Sequence, residues 1–228
     1  MPPLLHLVVS TVMALSSLAP RVRADPPADA RAYAVSYVEA ASSSRAAAIA
    51  SLKQYRDASR KQGGCVSHEL FEQVGRPGHF AVVETWRDQK AFDARAAAAR
   101  KQLLDALRTI RVSDYDERPY KTLTVGSGSP AAGSHAITVL SHVDTAPGGQ
   151  VPGLLSRLAE ASRQDEGNVR FDVLQHTMRA NHFTVIETWQ NQKALDAHAA
   201  AAHTRQYRDE LQPLTGSPLD ERVYRVIE

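Results

Sequence analysis

The segment HFAVVETWRDQKAFDARAAAAR, His79 to Arg100, returns as HFTVIETWQNQKALDAHAAAAH, His182 to His203, with 15 of 22 positions identical at a constant offset of 103. A match of that length records the duplication and fusion of one folding unit, so each functional position has a counterpart to be compared with. The halves diverge at chemically loaded positions, above all Arg95 against His198 and Arg100 against His203.

Outward from this segment the same order of elements reads twice: strand, helix, strand, strand, helix, strand. In the first half YAVSYVE (33–39) alternates, and Ser44 opens a run with Ile49, Leu52 and Tyr55 at helical spacing, closed by Gly63 and Gly64. The strands CVSHELF (65–71) and HFAVVETW (79–86) are joined by the turn QVGRPG, and Asp88 is placed to cap a helix running through DARAAAARKQLLDAL before the last strand ERPYKTL. In the second half AITVLSHV, GLLSRLAEASRQ, NVRFDVL, HFTVIETW, a helix capped by Asn191 and ERVYRVI follow in the same order. The expected domains are 31–125 and 135–228, joined by a flexible linker, GSGSPAAGS, at 126–134.

That order is the split βαββαβ of a ferredoxin-like unit, with two helices on one face of an antiparallel sheet. Along 79–86 one face carries Phe80, Val82, Glu84 and Trp86 and the other Ala81, Val83 and Thr85, so neither side is plainly solvated. A sheet apolar on both faces needs two covers. Helices supply one, and the sheet of the other half supplies the second. The expected architecture is therefore α+β, with two tandem ferredoxin-like units packed sheet to sheet as an intramolecular pseudo-dimer.

Residues 1–24 carry an apolar run from Leu4 to Leu18 and then Val22-Arg23-Ala24, the pattern of a cleaved secretory signal, which predicts an exported protein, periplasmic or extracellular. With 27 basic and 25 acidic side chains scattered through every segment, there is no basic stripe for nucleic acid, and no later stretch is long and apolar enough for a membrane span. The lone cysteine, Cys65, has Asn168 as its counterpart and reads as a small residue at the start of a strand.

The pattern ETWRDQKAFDARAAAAR and ETWQNQKALDAHAAAAH, a strand ending in Glu-x-Trp followed by a capped helix, resembles the antibiotic biosynthesis monooxygenase domain family over about 90 residues of each half. The resemblance implies a dimeric α+β barrel, here built from one polypeptide. It also implies a range of activities: quinol- and anthrone-type monooxygenases that use no metal, flavin or haem, haem-degrading enzymes, and domains without known activity. The leading expectation is a cofactor-independent monooxygenase acting on a small aromatic or quinol-type substrate with molecular oxygen. The alternative is a non-catalytic small-molecule binding or stress-response module. Haem binding or degradation is the distant third, because the first strands lack Asn and the second helices lack Trp.

Cofactor-free oxygenation asks for a base in an apolar pocket that excludes water. His198 matches the family's helix histidine, and a histidine can accept a proton near neutral pH where Arg95 cannot. The expected catalytic set is His198, His142, Glu187 and Trp189, with His142 taken into the pocket because it shares a strand face with Thr138 and Leu140. Substrate contacts are expected from Trp189, His203, His176, Phe183, Trp86 and Tyr37. No metal site is expected, since an i, i+5 pair such as His198 and His203 points about 140° apart round a helix. His79 and His182, each just after a turn, read as exposed.

Overall fold

The computed structural model describes residues 30–95, 97–126, 133 and 135–228. The stretch read as a signal, 1–24, and most of the linker lie outside them. The first half contains β1 (Ala32–Glu39), α1 (Arg45–Arg60), β2 (Cys65–Gln73), β3 (His79–Trp86), α2 (Gln89–Asp93), α3 (Ala97–Leu107) and β4 (Asp116–Thr124). The second contains β5 (Ile137–Asp144), α4 (Val151–Ser162), β6 (Asn168–His176), β7 (His182–Trp189), α5 (Gln192–Ala199), α6 (Ala202–Leu211) and β8 (Asp220–Val226). Among the described residues no helix is long and apolar enough to cross a membrane.

The two sheets do more than stack. They join at both edges into one closed barrel in the order β1-β3-β2-β8-β5-β7-β6-β4, with β4 returning to β1. The seams exchange last strands: β8 pairs with β2 of the first half, and β4 pairs with β6 of the second. Closure leaves no sheet edge exposed along the paired residues, and it places one face of every strand inside. Those inner faces meet in a single core drawn from all eight strands, including Tyr33, Val35, Phe71, Val83, Tyr120, Leu140, Leu174, Ile186 and Tyr224. Phe80, Val82 and Trp86 face outward onto helices, as do their counterparts Phe183, Val185 and Trp189. Both faces of β3 are thus apolar because both are covered.

The caps fall where the sequence places them. The Asp88 carboxylate accepts from the Ala91 amide at 2.7 Å, and the Asn191 side chain accepts from the Ala194 amide at 3.0 Å. Just before β2 and β6 the chain turns at Gly64 and Gly167, at φ +124° and +81°, where a Cβ would lie 2.7 Å from the Ala91 Cβ and 2.6 Å from the Ala194 Cβ. Glycine at the turn and alanine on the helix let each Asp- or Asn-capped segment sit against its sheet.

One element departs from the expectation. The helix after each Glu-x-Trp strand is broken in two. In the second half α5 ends at Ala199 and α6 is entered through Ala201 in an extended conformation. At the second break the Ala200 carbonyl is bonded by the Arg205 side chain, and at the first the Arg95 side chain adds a bond to the Phe92 carbonyl. No Gly or Pro marks either break, so periodicity reads one helix where there are two.

Charged groups inside the barrel tie the halves together. Arg170 on β6 donates to Asp172 at 2.5 Å and to Glu69 of β2 at 2.7 Å, all three largely buried, and Asp172 also accepts from the Gly126 amide at 2.9 Å. Glu69 and Asp172 are counterparts at the repeat offset, while the counterpart of Arg170 is Ser67, so one guanidinium serves both carboxylates. Arg170→Met leaves two buried carboxylates without a cation and is expected to cost about 3–5 kcal/mol in urea unfolding, whereas replacing Glu69, Arg170 and Asp172 together by apolar residues costs much less. Equal losses in the two variants would refute this role.

Candidate functional site

A cavity of about 250 Å³ lies between the outer face of the second half's sheet and helices α4, α5 and α6. Its apolar wall is Val139, Leu158, Phe171, Val185, Leu195, Tyr207, Leu219 and Val223. The polar side chains at its edge include Glu187, His198, Thr204, Arg208 and Glu221.

Glu187 faces the same side of β7 as Val185 and Trp189 because strand side chains alternate. Its Oε2 accepts from the Trp189 indole at 2.8 Å and lies 3.5 Å from His198 Nε2. The His198 ring stacks on Trp189, with centroids 4.5 Å apart, and its Nδ1 is 2.8 Å from Asp165 Oδ2 in the turn before β6. Burial pushes the Glu187 carboxyl up to about 7, opposed by the indole hydrogen bond. Burial lowers His198, with Asp165 pulling the other way. The two groups, one raised and one lowered, stand 3.5 Å apart at the wall of an apolar pocket.

The first half shows what happens when the same frame is closed. Glu84, the counterpart of Glu187, accepts from the Trp86 indole at 2.9 Å and from the Tyr55 hydroxyl at 3.1 Å, with Arg95 Nε at 3.9 Å. Arg95 and Arg100 both bind Glu117 of β4. In the second half Leu158 stands for Tyr55, Phe171 for His68 and His198 for Arg95. These exchanges remove a phenol and a guanidinium from above the carboxylate, and the second half has the cavity there.

Of the residues singled out from the sequence, Glu187 and His198 line this cavity and Trp189 supports both. His203 sits behind His198, its Nε2 3.1 Å from Asp165 Oδ2. Phe183 packs in the core beneath the helices, and Trp86, the counterpart of Trp189, packs against Ala91 and Phe92 in the first half. His142 and Tyr37 belong elsewhere. They lie inside the barrel, the Tyr37 hydroxyl 2.6 Å from His142 Nε2, with His142 Nδ1 3.0 Å from the Thr184 hydroxyl. Burial, reinforced by Arg118, pushes His142 down to about 3, so it is neutral and structural. His176 is at the same interior end, its ring 5.4 Å from that of Tyr120. His182, expected on the surface, is also buried there and bonds Asp144 and, at 3.2 Å, Tyr120. Cys65 is half-buried with its thiol pushed up to about 11, chiefly by burial, which makes it a poor nucleophile. Leu158, Thr204 and Tyr207 were not singled out from the sequence; the exchange of Tyr55 for Leu158 at the repeat offset is the signal that would have found the cavity.

The chain belongs to the antibiotic biosynthesis monooxygenase family, whose family model matches it twice, at residues 32–102 and 139–210. A curated relative, “Putative monooxygenase YcnE” of Bacillus subtilis (strain 168), is 30% identical over 63 residues, a match spanning 28% of this chain and 66% of that protein. A solved structure from Fusobacterium nucleatum, also named a monooxygenase of that provisional kind, superposes with a TM-score of 0.78 at 12% identity, covering 87% of this chain and 93% of that one. One from Lactobacillus acidophilus superposes at 0.70 and 13% identity over 86% and 94% of the two chains. The structural matches establish the fold, a one-chain barrel of two such domains.

Glu187 gives the site a signature in stability. Between the ordinary carboxyl value of 4.5 and about 7 the folded chain keeps a proton that the unfolded chain has released, so its contribution is fully present below 4.5 and is lost as pH rises through about 7. Wild type should therefore lose on the order of 3 kcal/mol relative to Glu187→Gln between pH 4 and pH 8 in urea unfolding. Parallel pH dependences in the two proteins would show that Glu187 titrates normally.

Proposed function

We propose that the second half is a cofactor-independent monooxygenase site for a small phenolic, quinol-type or benzylic aromatic substrate of one or two rings, with Glu187 and His198 as its proton-handling pair. The observation that carries this reading is the Glu187 carboxyl, buried beside His198 in an apolar pocket and raised to about 7. An apolar cavity of about 150 Å³ accommodates benzene, so about 250 Å³ suits one substituted ring or a small fused pair.

The chemistry then needs little from the protein. The Glu187 carboxylate removes the proton of the acidic O–H or benzylic C–H, and the resulting anion is electron-rich enough to reduce oxygen. Carbon–oxygen bond formation gives a peroxide, the proton returns to the distal oxygen, and the O–O bond breaks. For a benzylic methylene the balance is one methylene and one dioxygen in, one ketone carbonyl and one water out. A phenol with a free para position gives quinone and water with the same stoichiometry. Leu158, Phe171, Val185 and Tyr207 keep solvent from the anion while it reacts. Arg208, at the pocket edge and 3.3 Å from Glu221, supplies a positive charge toward the developing oxyanion.

The test is oxygen uptake, with oxygen-18 label traced from dioxygen into product, over a panel of phenols, hydroquinones, naphthols and two-ring benzylic ketones. Wild type should incorporate one labelled atom, and His198→Ala or Glu187→Gln should lower kcat/KM by about 10²–10⁴. Leu158→Tyr, which copies the first half's closed arrangement, should abolish binding of the aromatic compound while the protein remains folded. Aromatic binding without uptake by any member of the panel would identify a non-catalytic binding module instead.

A further inference from the structure

Behind His198, on the side away from the cavity, three donors converge from three separate stretches of chain. Asp165 comes from the turn between α4 and β6, His198 from α5 and His203 from α6. His198 Nδ1 lies 2.8 Å and His203 Nε2 3.1 Å from the same oxygen, Asp165 Oδ2, and the three ligand atoms lie within 4.8 Å of one another. The break at Ala200–Ala201 makes this possible, because a continuous helix would have turned the two rings about 140° apart. His203 Nε2 is screened from solvent and, despite its short distance to the carboxylate, is not aligned to make a hydrogen bond with any group. A buried nitrogen that lies 3.1 Å from a carboxylate oxygen but is not directed at it fits a donor set that converges on a common ion better than a finished hydrogen-bond network.

We propose that Asp165, His198 and His203 bind one divalent transition-metal ion of the zinc, cobalt or nickel class. Imidazole nitrogens and a carboxylate bind such ions at about 2.0–2.2 Å, which sets neighbouring donors roughly 3 Å apart, close to the two gaps here. The donors also differ from the first half as a set. At the repeat offset Gln62, Arg95 and Arg100 stand for Asp165, His198 and His203, so the first half fills the place with two fixed cations bound to Glu117. Where one half carries its own positive charge, the other presents an anionic carboxylate and two imidazoles. His198 is shared with the cavity but uses different atoms, with Nδ1 toward the metal and Nε2 toward Glu187, so a bound ion would fix the ring's orientation beside the carboxylate. The site stands independently of any oxidation chemistry in the pocket.

Calorimetric titration of the untagged full chain with Zn2+ and with Ni2+, together with Co2+ absorption in the visible, tests this without any substrate. Wild type should bind one equivalent per chain, and His203→Ala and Asp165→Asn should each weaken binding by at least about tenfold and bleach the Co2+ bands. Circular dichroism identifies any variant that has not folded, and either variant alone suffices. Absence of saturable binding, or binding unchanged in a folded His203→Ala or Asp165→Asn protein, would overturn the proposal. Loss of oxygenase activity would not bear on it.

Discussion

Closure of the barrel is the constraint on which everything else rests. Each half makes a four-stranded sheet whose inner face is buried as well as its outer one, and its own helices cover only the outer face. The inner faces are buried by each other, and the seams β2–β8 and β4–β6 satisfy the backbone groups that a lone half would leave exposed at its edges. Fusion makes that pairing independent of protein concentration, since the second domain is always at hand. It also frees the two halves from identity. A symmetric homodimer must repeat every substitution twice, whereas here one Arg170 serves Glu69 and Asp172 together, and Tyr37 meets His142 across the barrel.

That freedom explains the division of labour outside the barrel. Both halves keep the strand that ends in Glu-x-Trp, with the indole donating to the carboxylate, because the pair is part of the shared frame. What sits over the carboxylate differs. In the first half the Tyr55 hydroxyl and the Arg95 guanidinium stand over a carboxyl that burial also raises. In the second Leu158 and His198 take those places, and a cavity lies over a carboxyl that burial raises to about 7. The difference is made by a handful of exchanged side chains: Tyr55 for Leu158, His68 for Phe171, Arg95 for His198 and Arg100 for His203.

The architecture was legible in the sequence for a physical reason. A 22-residue repeat, caps at Asp88 and Asn191, and a β3 apolar on both faces each constrain the backbone locally, and they agree with one another. The site was only half legible. Strand parity correctly grouped His142 with Thr138 and Leu140, yet parity cannot say which face meets the helices when both faces are apolar, and His142 proved to be inside the barrel. The relation of His198 to His203 was misread because no Gly or Pro announces the break at Ala200–Ala201. Asp165, in a turn 33 residues before His198, carries no local signal at all. Only the paired exchanges between halves, such as Tyr55 for Leu158 and Gln62 for Asp165, point to these residues, and they gain meaning once the fold superposes them.

Burial in the second half's open pocket prepares the Glu187 carboxyl to exchange a proton near neutral pH, and the proposed chemistry stands or falls with that property. The direct measurement is the titration of its side-chain carbon by carbon-13 NMR in the full chain, assigned through Glu187→Gln. A midpoint near 7 is expected. A midpoint at the ordinary value of 4.5 would contradict it, and with it the assignment of this pocket as the place where the chemistry occurs.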